Sequence, residues 1–308
     1  MNEFRKEDFR QVSVCPICKS GKQTIKYRKN CEQVKRKAAI VECGKCRFIY
    51  SKDYLTPEAS NRFYGNKYKG SNYSNYHMFR CLKEVHFERC VNLVQEQCIK
   101  HGLRKPAKVL DLGCGEGVST KVLEKKGLRP IGVEISSSAV DKAVNMNQLT
   151  VIQHDLTKLD LLNIGKFDQV YLFDVLDHVA NVDDFVKQIS NKLNENGLIF
   201  IDVCNIKSIY AHLMGKRYTH LIPWEHLSYF SKKSLSRLLR KHGIETLSVK
   251  NCPRLISYDF LQMTMMEFNP LIGQVMRLFG MILPSRFKSK LFPLPVGVIS
   301  YIGIYSKA

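Results

Sequence analysis

From residue 108 onward, short apolar runs alternate with segments in which apolar residues recur every three to four positions. Runs at 109–112, 129–133, 150–153, 168–173, 198–203, 244–249 and 298–305 are bounded by turn residues and predict buried strands. Between them, helical periodicity predicts crossover helices. The clearest stripe is Val182, Phe185, Val186, Ile189 and Leu193, ended by Asn196-Gly197, and Ser136 is placed to cap a helix reaching about Met146. Strand–helix alternation of this kind predicts an α/β domain with a doubly wound parallel sheet. Upstream, 74–101 predicts one long helix with Leu82, Val85, Val91, Val94 and Cys98 on one face. Residues 251–295 interrupt the alternation before the last strand with a helical, methionine-rich insertion holding Met263, Met265, Met266, Met276 and Met281. Such stripes more often fill cores and pockets, so a cap over an apolar acceptor is expected. The alternative is a basic amphipathic surface over 271–291 that contacts lipid headgroups.

The first 70 residues lack this rhythm and carry different chemistry. Cys15-Pro-Ile-Cys18 and Cys43-Gly-Lys-Cys46 are two turns presenting paired thiolates, the donor set of a tetrahedral zinc site. Four protein donors leave no open position, so a structural zinc is expected in a module spanning 1–70, with Cys31 outside the ligand set. An aromatic linker with Phe63, Tyr64, Tyr68, Tyr73 and Tyr76 leads into the long helix, and 71–308 is the catalytic domain.

Eleven cysteines, an odd number, without a signal-peptide pattern argue against a disulfide framework and for a reducing, cytoplasmic setting. The apolar stretch 271–284 is too short to span a bilayer. The net charge of +20 is uneven. Residues 1–108 carry 24 Lys/Arg against 10 Asp/Glu and 206–308 carry 15 against 4, whereas 109–205 carry 9 against 14. An acidic centre between basic flanks suits a cationic cofactor in the middle and an anionic partner at the rim.

The turn after the first predicted strand reads Asp111-Leu112-Gly113-Cys114-Gly115-Glu116-Gly117. Glycines there let the backbone turn tightly and approach a cofactor. Asp111 would repel a pyrophosphate and attract a cationic amine or sulfonium. Glu134, at the tip of the second strand, is placed to accept from ribose hydroxyls, and Asp155, after the third, from an adenine amine. With these acids, Val109–Gly117 resembles motif I of the class I S-adenosylmethionine-dependent methyltransferases. Gly132–Ser136 resembles their ribose-binding motif and Phe173–Val179 their strand-four motif. The resemblance implies a Rossmann-like, seven-stranded fold and S-adenosylmethionine as cofactor. It implies cofactor contacts at Asp111, Gly113, Gly115, Gly117, Glu134, Ile135, Asp155, Leu156, Phe173 and Asp174.

Farther on, Glu225-His226-Leu227-Ser228-Tyr229-Phe230-Ser231 resembles a branch acting on sugars and other small molecules, some of whose members carry an N-terminal module with paired cysteines. Pro223-Trp224 stands where the sugar C-methyltransferases of that branch have Tyr-His. Methyl transfer requires positioning and removal of a proton, so His178, Glu225 and His226 are the candidate bases. The expected acceptor is a small molecule or glycan, anionic in view of the flanks, such as a nucleotide sugar or lipid-linked saccharide. An RNA base methyltransferase is the alternative, and a non-catalytic S-adenosylmethionine-binding protein a third.

Overall fold

The computed structural model describes residues 4–31, 36–56, 58–60, 62, 80–103, 108–288 and 290–306. Five short strands form the N-terminal part: β1 (Phe9–Gln11), β2 (Gln23–Cys31), β3 (Arg36–Cys43), β4 (Ile49–Ser51) and β5 (Asp53–Leu55). Strands β2 and β3 pair as a long antiparallel ribbon, β4 adds to β3, and β1 pairs with β5. The tyrosine-rich linker and residues 74–79 of the expected helix lie outside the described residues, as does the Cys31 side chain. The helix itself, α1, runs Arg80–Lys100 and buries Val91, Val94 and Cys98 as expected, with His86 and Cys90 added.

Beyond it follow β6 (Val109–Leu112), α2 (Val118–Lys125), β7 (Pro130–Glu134), α3 (Ser137–Asp141), β8 (Val151–Gln153), β9 (Phe167–Phe173), α4 (Val182–Lys192), β10 (Leu193–Cys204), α5 (Ile209–Met214), β11 (Ser228–Tyr229), α6 (Lys232–Arg240) and β12 (Ile244–Asn251). The chain ends with β13 (Arg254–Ile256), α7 (Tyr258–Phe268), α8 (Pro270–Ile282), α9 (Ser285–Lys288), β14 (Phe292–Leu294) and β15 (Val298–Tyr305). The main sheet has seven strands in the order β12-β15-β10-β9-β6-β7-β8. It is parallel across β8-β7-β6-β9-β10, and β15 runs antiparallel to both its neighbours. From β6 the chain winds outward through β7 and β8, then returns to β9 on the other side. The reversal opens a crevice at the carboxyl ends of β6 and β9, where sheets of this type bind ligands. Every residue of β6 is buried, as in strands covered by helices on both faces.

Two local differences from the sequence reading have simple causes. Leu193 starts β10 rather than ending α4, because Asn196 at φ +61° makes a bulge between the Leu193 and Leu198 pairings. Gly197 belongs to the same bulge, since a Cβ there would stand 2.8 Å from the Asn194 carbonyl oxygen.

Residues 223–230 do more than carry the candidate bases. Strand β11 pairs antiparallel with β4, so it completes the N-terminal sheet in the order β11-β4-β3-β2. Phe230 meets Phe48 at 5.3 Å, and Trp224, held at φ +74°, packs on Phe9 at 4.9 Å. Cys15, Ile17, Val41, Cys43, Phe48 and Tyr50 belong to the same buried cluster as Leu235 and Leu238 of α6. The N-terminal module and the large sheet therefore share one core.

The insertion folds as a helical hairpin. Helices α7 and α8 approach most closely at Gly273, where a Cβ would stand 2.6 Å from the Met266 backbone, so only glycine fits. Met263, Met265 and Met266 of α7 are half-buried, but the outer face of α8 fills no core. Leu271 and Met281 are each 76% exposed, and Val275, Leu278, Phe279 and Ile282 are exposed beside them.

Candidate active site

The turn from β6 into α2 is built by left-handed glycines. Gly113, Gly115 and Gly117 have φ of +70°, +56° and +83°. A Cβ at Gly113 would lie 2.6 Å from Val175, and one at Gly117 would lie 2.2 Å from Leu149. The turn thus brings bare backbone to the crevice while packing tightly beneath. Asp111 is fully buried at the start of it. Its Oδ2 accepts from Ser119 Oγ at 2.6 Å and Thr120 Oγ1 at 2.7 Å, while Oδ1 has no hydrogen-bond partner among the described residues. Burial pushes the Asp111 carboxyl up to about 6. The two hydroxyl hydrogen bonds oppose this, and the nearby Glu134 charge adds to it. An unpaired oxygen on a buried carboxylate is costly unless a cation meets it. That matches the amine end of a methionyl group.

Glu134 ends β7 and accepts backbone N–H groups from Gly115 at 3.0 Å and from Ile135 and Ser136 at 2.9 Å each. Oε1 takes two of these bonds and Oε2 one, so Oε2 keeps a lone pair for a ribose hydroxyl. Asp155 is placed differently from a free adenine ligand. Its Oδ1 caps the turn that starts at Leu156, accepting from Thr157 N at 2.9 Å and Thr157 Oγ1 at 2.8 Å. Phe173 points away from the crevice, into a cluster with Phe87 at 4.5 Å and Phe200 at 5.1 Å. Any cofactor contact at Phe173 therefore falls to its backbone. Ile135 is exposed beside Glu134, and Leu156 is half-buried against the core.

At the end of β9, Asp174 is held at φ +54° by its N–H bond to the Asp202 carbonyl, and Arg254 Nη2 meets both its carboxylate oxygens, at 2.7 and 2.6 Å. Asp177, buried three residues on, lies between two candidate bases. His178 Nε2 is 3.8 Å and His226 Nδ1 is 3.9 Å from its oxygens, and the two imidazoles meet edge-on at 4.7 Å. Burial raises the Asp177 carboxyl above the ordinary range, with His226 opposing. His226 Nδ1 lies 2.9 Å from the His220 carbonyl oxygen. A carbonyl only accepts, so Nδ1 carries the proton and Nε2 the lone pair. His220, stacked on His226, is driven down to about 4 by burial and by His226, so it stays neutral. Glu225 is buried in the same loop beside Trp224.

A cavity of about 870 Å³ opens at the same edge of the sheet, past Asn205 after β10, Cys252 and Pro253 after β12, and Gly297 before β15. Arg47, Lys207, Lys232, Lys233 and Arg237 line it, together with Ile209, Tyr210 and Leu213, and among the described residues no Asp or Glu does. Its floor at Pro253 adjoins Arg254 and hence Asp174.

The four cysteines of the N-terminal turns converge. Their sulfurs all lie within 4.8 Å of one another, with Cys15–Cys46 and Cys18–Cys43 at 3.5 Å. Tetrahedral zinc with bonds of about 2.3 Å would set its sulfurs about 3.8 Å apart, so the set fits the ion. The Lys45 and Cys46 N–H groups point at Cys43 Sγ, at 3.4 and 3.5 Å. Burial works against the Cys43 thiolate, but these N–H groups bring its thiol down to about 7.

Comparison with known proteins agrees with this arrangement. A family model described as "Methyltransferase domain" matches residues 83–249, just over half of the chain. The chain belongs to the class I S-adenosylmethionine-dependent methyltransferases. Among curated relatives, the ubiquinone biosynthesis O-methyltransferase of Bartonella tribocorum is 31% identical over 189 residues, covering 55% of this chain and 75% of that protein. The enzyme of the same name from Pelagibacter ubique is 28% identical over 125 residues, 39% of this chain; the match spans about half, 51%, of its length. A solved structure of magnesium protoporphyrin IX methyltransferase from Synechocystis PCC 6803 aligns over 80% of this chain and 100% of its own, at 16% identity and a TM-score of 0.49.

Sequence reasoning missed Arg254, His220 and the buried Asp177–His226 contact. Arg254 lies inside the insertion, where no spacing marks it. Asp177 could have been noted, since a carboxylate next to His178 at a strand end is a common way to orient an imidazole.

Proposed function

We propose that the chain transfers a methyl group from S-adenosylmethionine to a hydroxyl of a small anionic acceptor, with His226 as the base. The observation that carries this reading is the fixed tautomer of His226, whose Nε2 lone pair is set by the His220 carbonyl at the carboxyl end of β9. Asp111 would hold the cationic amine of the cofactor and Glu134 its ribose, while Gly113 and Gly115 let the backbone come close. Bound S-adenosylmethionine supplies an electrophilic methyl group. The chain's own contribution is to orient the acceptor and take its hydroxyl proton on His226 Nε2, with Asp177 stabilising the imidazolium that results. His178, edge-on to His226, closes the other side of Asp177. The O-methyltransferase names of the relatives support transfer to oxygen. The cavity's five cations and apolar wall favour an acceptor with a phosphate or carboxylate on an apolar body, and its volume of about 870 Å³ suits a small molecule. The four-thiol module is read as holding a structural zinc.

His226→Ala is expected to lower kcat by about 10²- to 10⁴-fold while leaving the S-adenosylmethionine Kd within about twofold. Turnover is read by labelled-methyl transfer to two acceptor panels, phenolic acids and sugar nucleotides. Unchanged turnover in this variant would remove His226 as the base and leave His178.

The exposed face of α8 fits this acceptor chemistry. No acidic residue occurs after Glu267, and Arg277, Arg286, Lys288 and Lys290 accompany the apolar face. Among the described residues no helix is long and apolar enough to cross a membrane. We read α8 as lying in the surface of an anionic bilayer, its apolar face in the acyl boundary and its cations at the headgroups. The full chain is expected to pellet with vesicles of mixed phosphatidylcholine and phosphatidylglycerol. Leu278→Glu combined with Phe279→Glu should reduce pelleting at least tenfold without changing S-adenosylmethionine binding. Equal recovery of both proteins in the supernatant would refute the docking.

A further inference from the structure

A second set of metal-binding side chains lies outside the catalytic cluster and the N-terminal module. His86 and Cys90 stand one helical turn apart on α1, Cys252 follows β12, and Asp202 lies on β10. All four are buried. The donor atoms of His86, Cys90 and Cys252 lie within 4.8 Å of one another. His86 Nε2 is 3.5 Å from Cys90 Sγ and 2.7 Å from Asp202 Oδ2. One ring nitrogen carries at most one proton, so it cannot satisfy a carboxylate and two sulfurs by hydrogen bonding. Bond lengths of about 2.0–2.1 Å to nitrogen and 2.3 Å to sulfur place the donors of a tetrahedral zinc about 3.5 Å apart across an N–S edge, the separation of His86 from Cys90. Asp202 stands outside this trio and meets the imidazole at hydrogen-bond distance.

We propose that His86, Cys90 and Cys252 form a second zinc site, with Asp202 beside it. The neighbouring charges allow it. Arg254 Nη2 lies 3.2 Å from Asp202 Oδ2 but is already paired with Asp174, and Asp202 Oδ1 has no hydrogen-bond partner among the described residues. When the metal takes His86 Nε2, Asp202 keeps the Arg254 guanidinium as its partner. Two thiolates balance the dication, and the three donors are buried away from substrate. The ion fastens α1 to the segment after β12, two residues from the Arg254 that meets Asp174. It holds the helix across the acceptor side of the crevice.

The test is metal content, measured by mass spectrometry on the full chain purified without chelator. Wild type is expected to hold about one zinc more per chain than Cys252→Ser or His86→Ala, whatever the N-terminal thiols hold. Cys252→His, which keeps a donor, should retain that ion. A variant with Cys15 and Cys18 both replaced by serine should still take up cobalt with the absorption of a four-coordinate, thiolate-bound ion, and should lose it when Cys252→Ser is added. Equal metal content in wild type and Cys252→Ser overturns the site. So does a Cys90–Cys252 disulfide in protein purified without oxidant.

Discussion

Asp111→Asn is expected to abolish S-adenosylmethionine binding and at the same time to raise the melting temperature of the ligand-free protein. The two effects have one cause. Folding lifts the Asp111 carboxyl from about 4 to about 6, so the folded chain holds a proton there that the unfolded chain has released. Between those values stability falls as pH rises, and above about pH 6 the buried charge costs about 3 kcal/mol. Replacing the carboxylate removes that cost, less what a newly buried amide loses. The expected net gain is a few degrees at pH 7.5 and none at pH 4.5. The same charge is what a cationic amine would meet at the unpaired Oδ1. In the wild type, S-adenosylmethionine affinity should therefore weaken as pH falls through about 6, and in the variant that pH dependence should vanish with the affinity. Calorimetric titration across pH 5–8, with thermal melts at both pH values, checks each part. An affinity within threefold of wild type would show that Asp111 does not serve the cofactor.

The second large effect is expected at the N-terminal thiols. Cys43→Ser should release the zinc proposed for the four-cysteine module and lower the stability of the whole chain, not only of its first 55 residues. Structural zinc of this kind contributes apparent binding free energies of about 10 kcal/mol or more, which is folding free energy for a small module. Cys43 is fully buried in the cluster that contains Phe48, Tyr50 and Phe230, and β11 hydrogen-bonds to β4. Loss of the metal should thus speed amide exchange in residues 223–230 together with β2–β4, and the melting temperature should fall by more than 10 °C. Unchanged metal content, or exchange confined to the first 55 residues, would count against the shared core.

The loop of the candidate base is tied to a remote module. His226 lies between Trp224, packed on Phe9, and Ser228, paired with Tyr50. The position of the candidate base is thus set by residues more than 170 positions away in sequence. Local periodicity carries no trace of that contact. The motif around Glu225 and His226 was visible in the sequence as candidate chemistry, yet its neighbours serve mainly to join two sheets. Arg254 and the cavity cations were equally hidden, since each acts through residues brought together only when β10, β12 and β15 align.

What the sequence determined by itself was local or strictly periodic. Buried central strands are mainly apolar, which marked Val109–Leu112 and Val298–Tyr305 to the residue. A left-handed turn against a close neighbour admits only glycine, which marked Gly113 and Gly117. Four thiols in two short turns are a metal's donor set before they are anything else. Tertiary structure decided where a side chain points and what it meets. It turned Phe173 into the core, bound Asp155 to its own turn, left one face of α8 uncovered, and gave β11 to the N-terminal sheet. Those outcomes depend on packing and pairing between distant segments, whose free energies enter only once the chain has closed on itself.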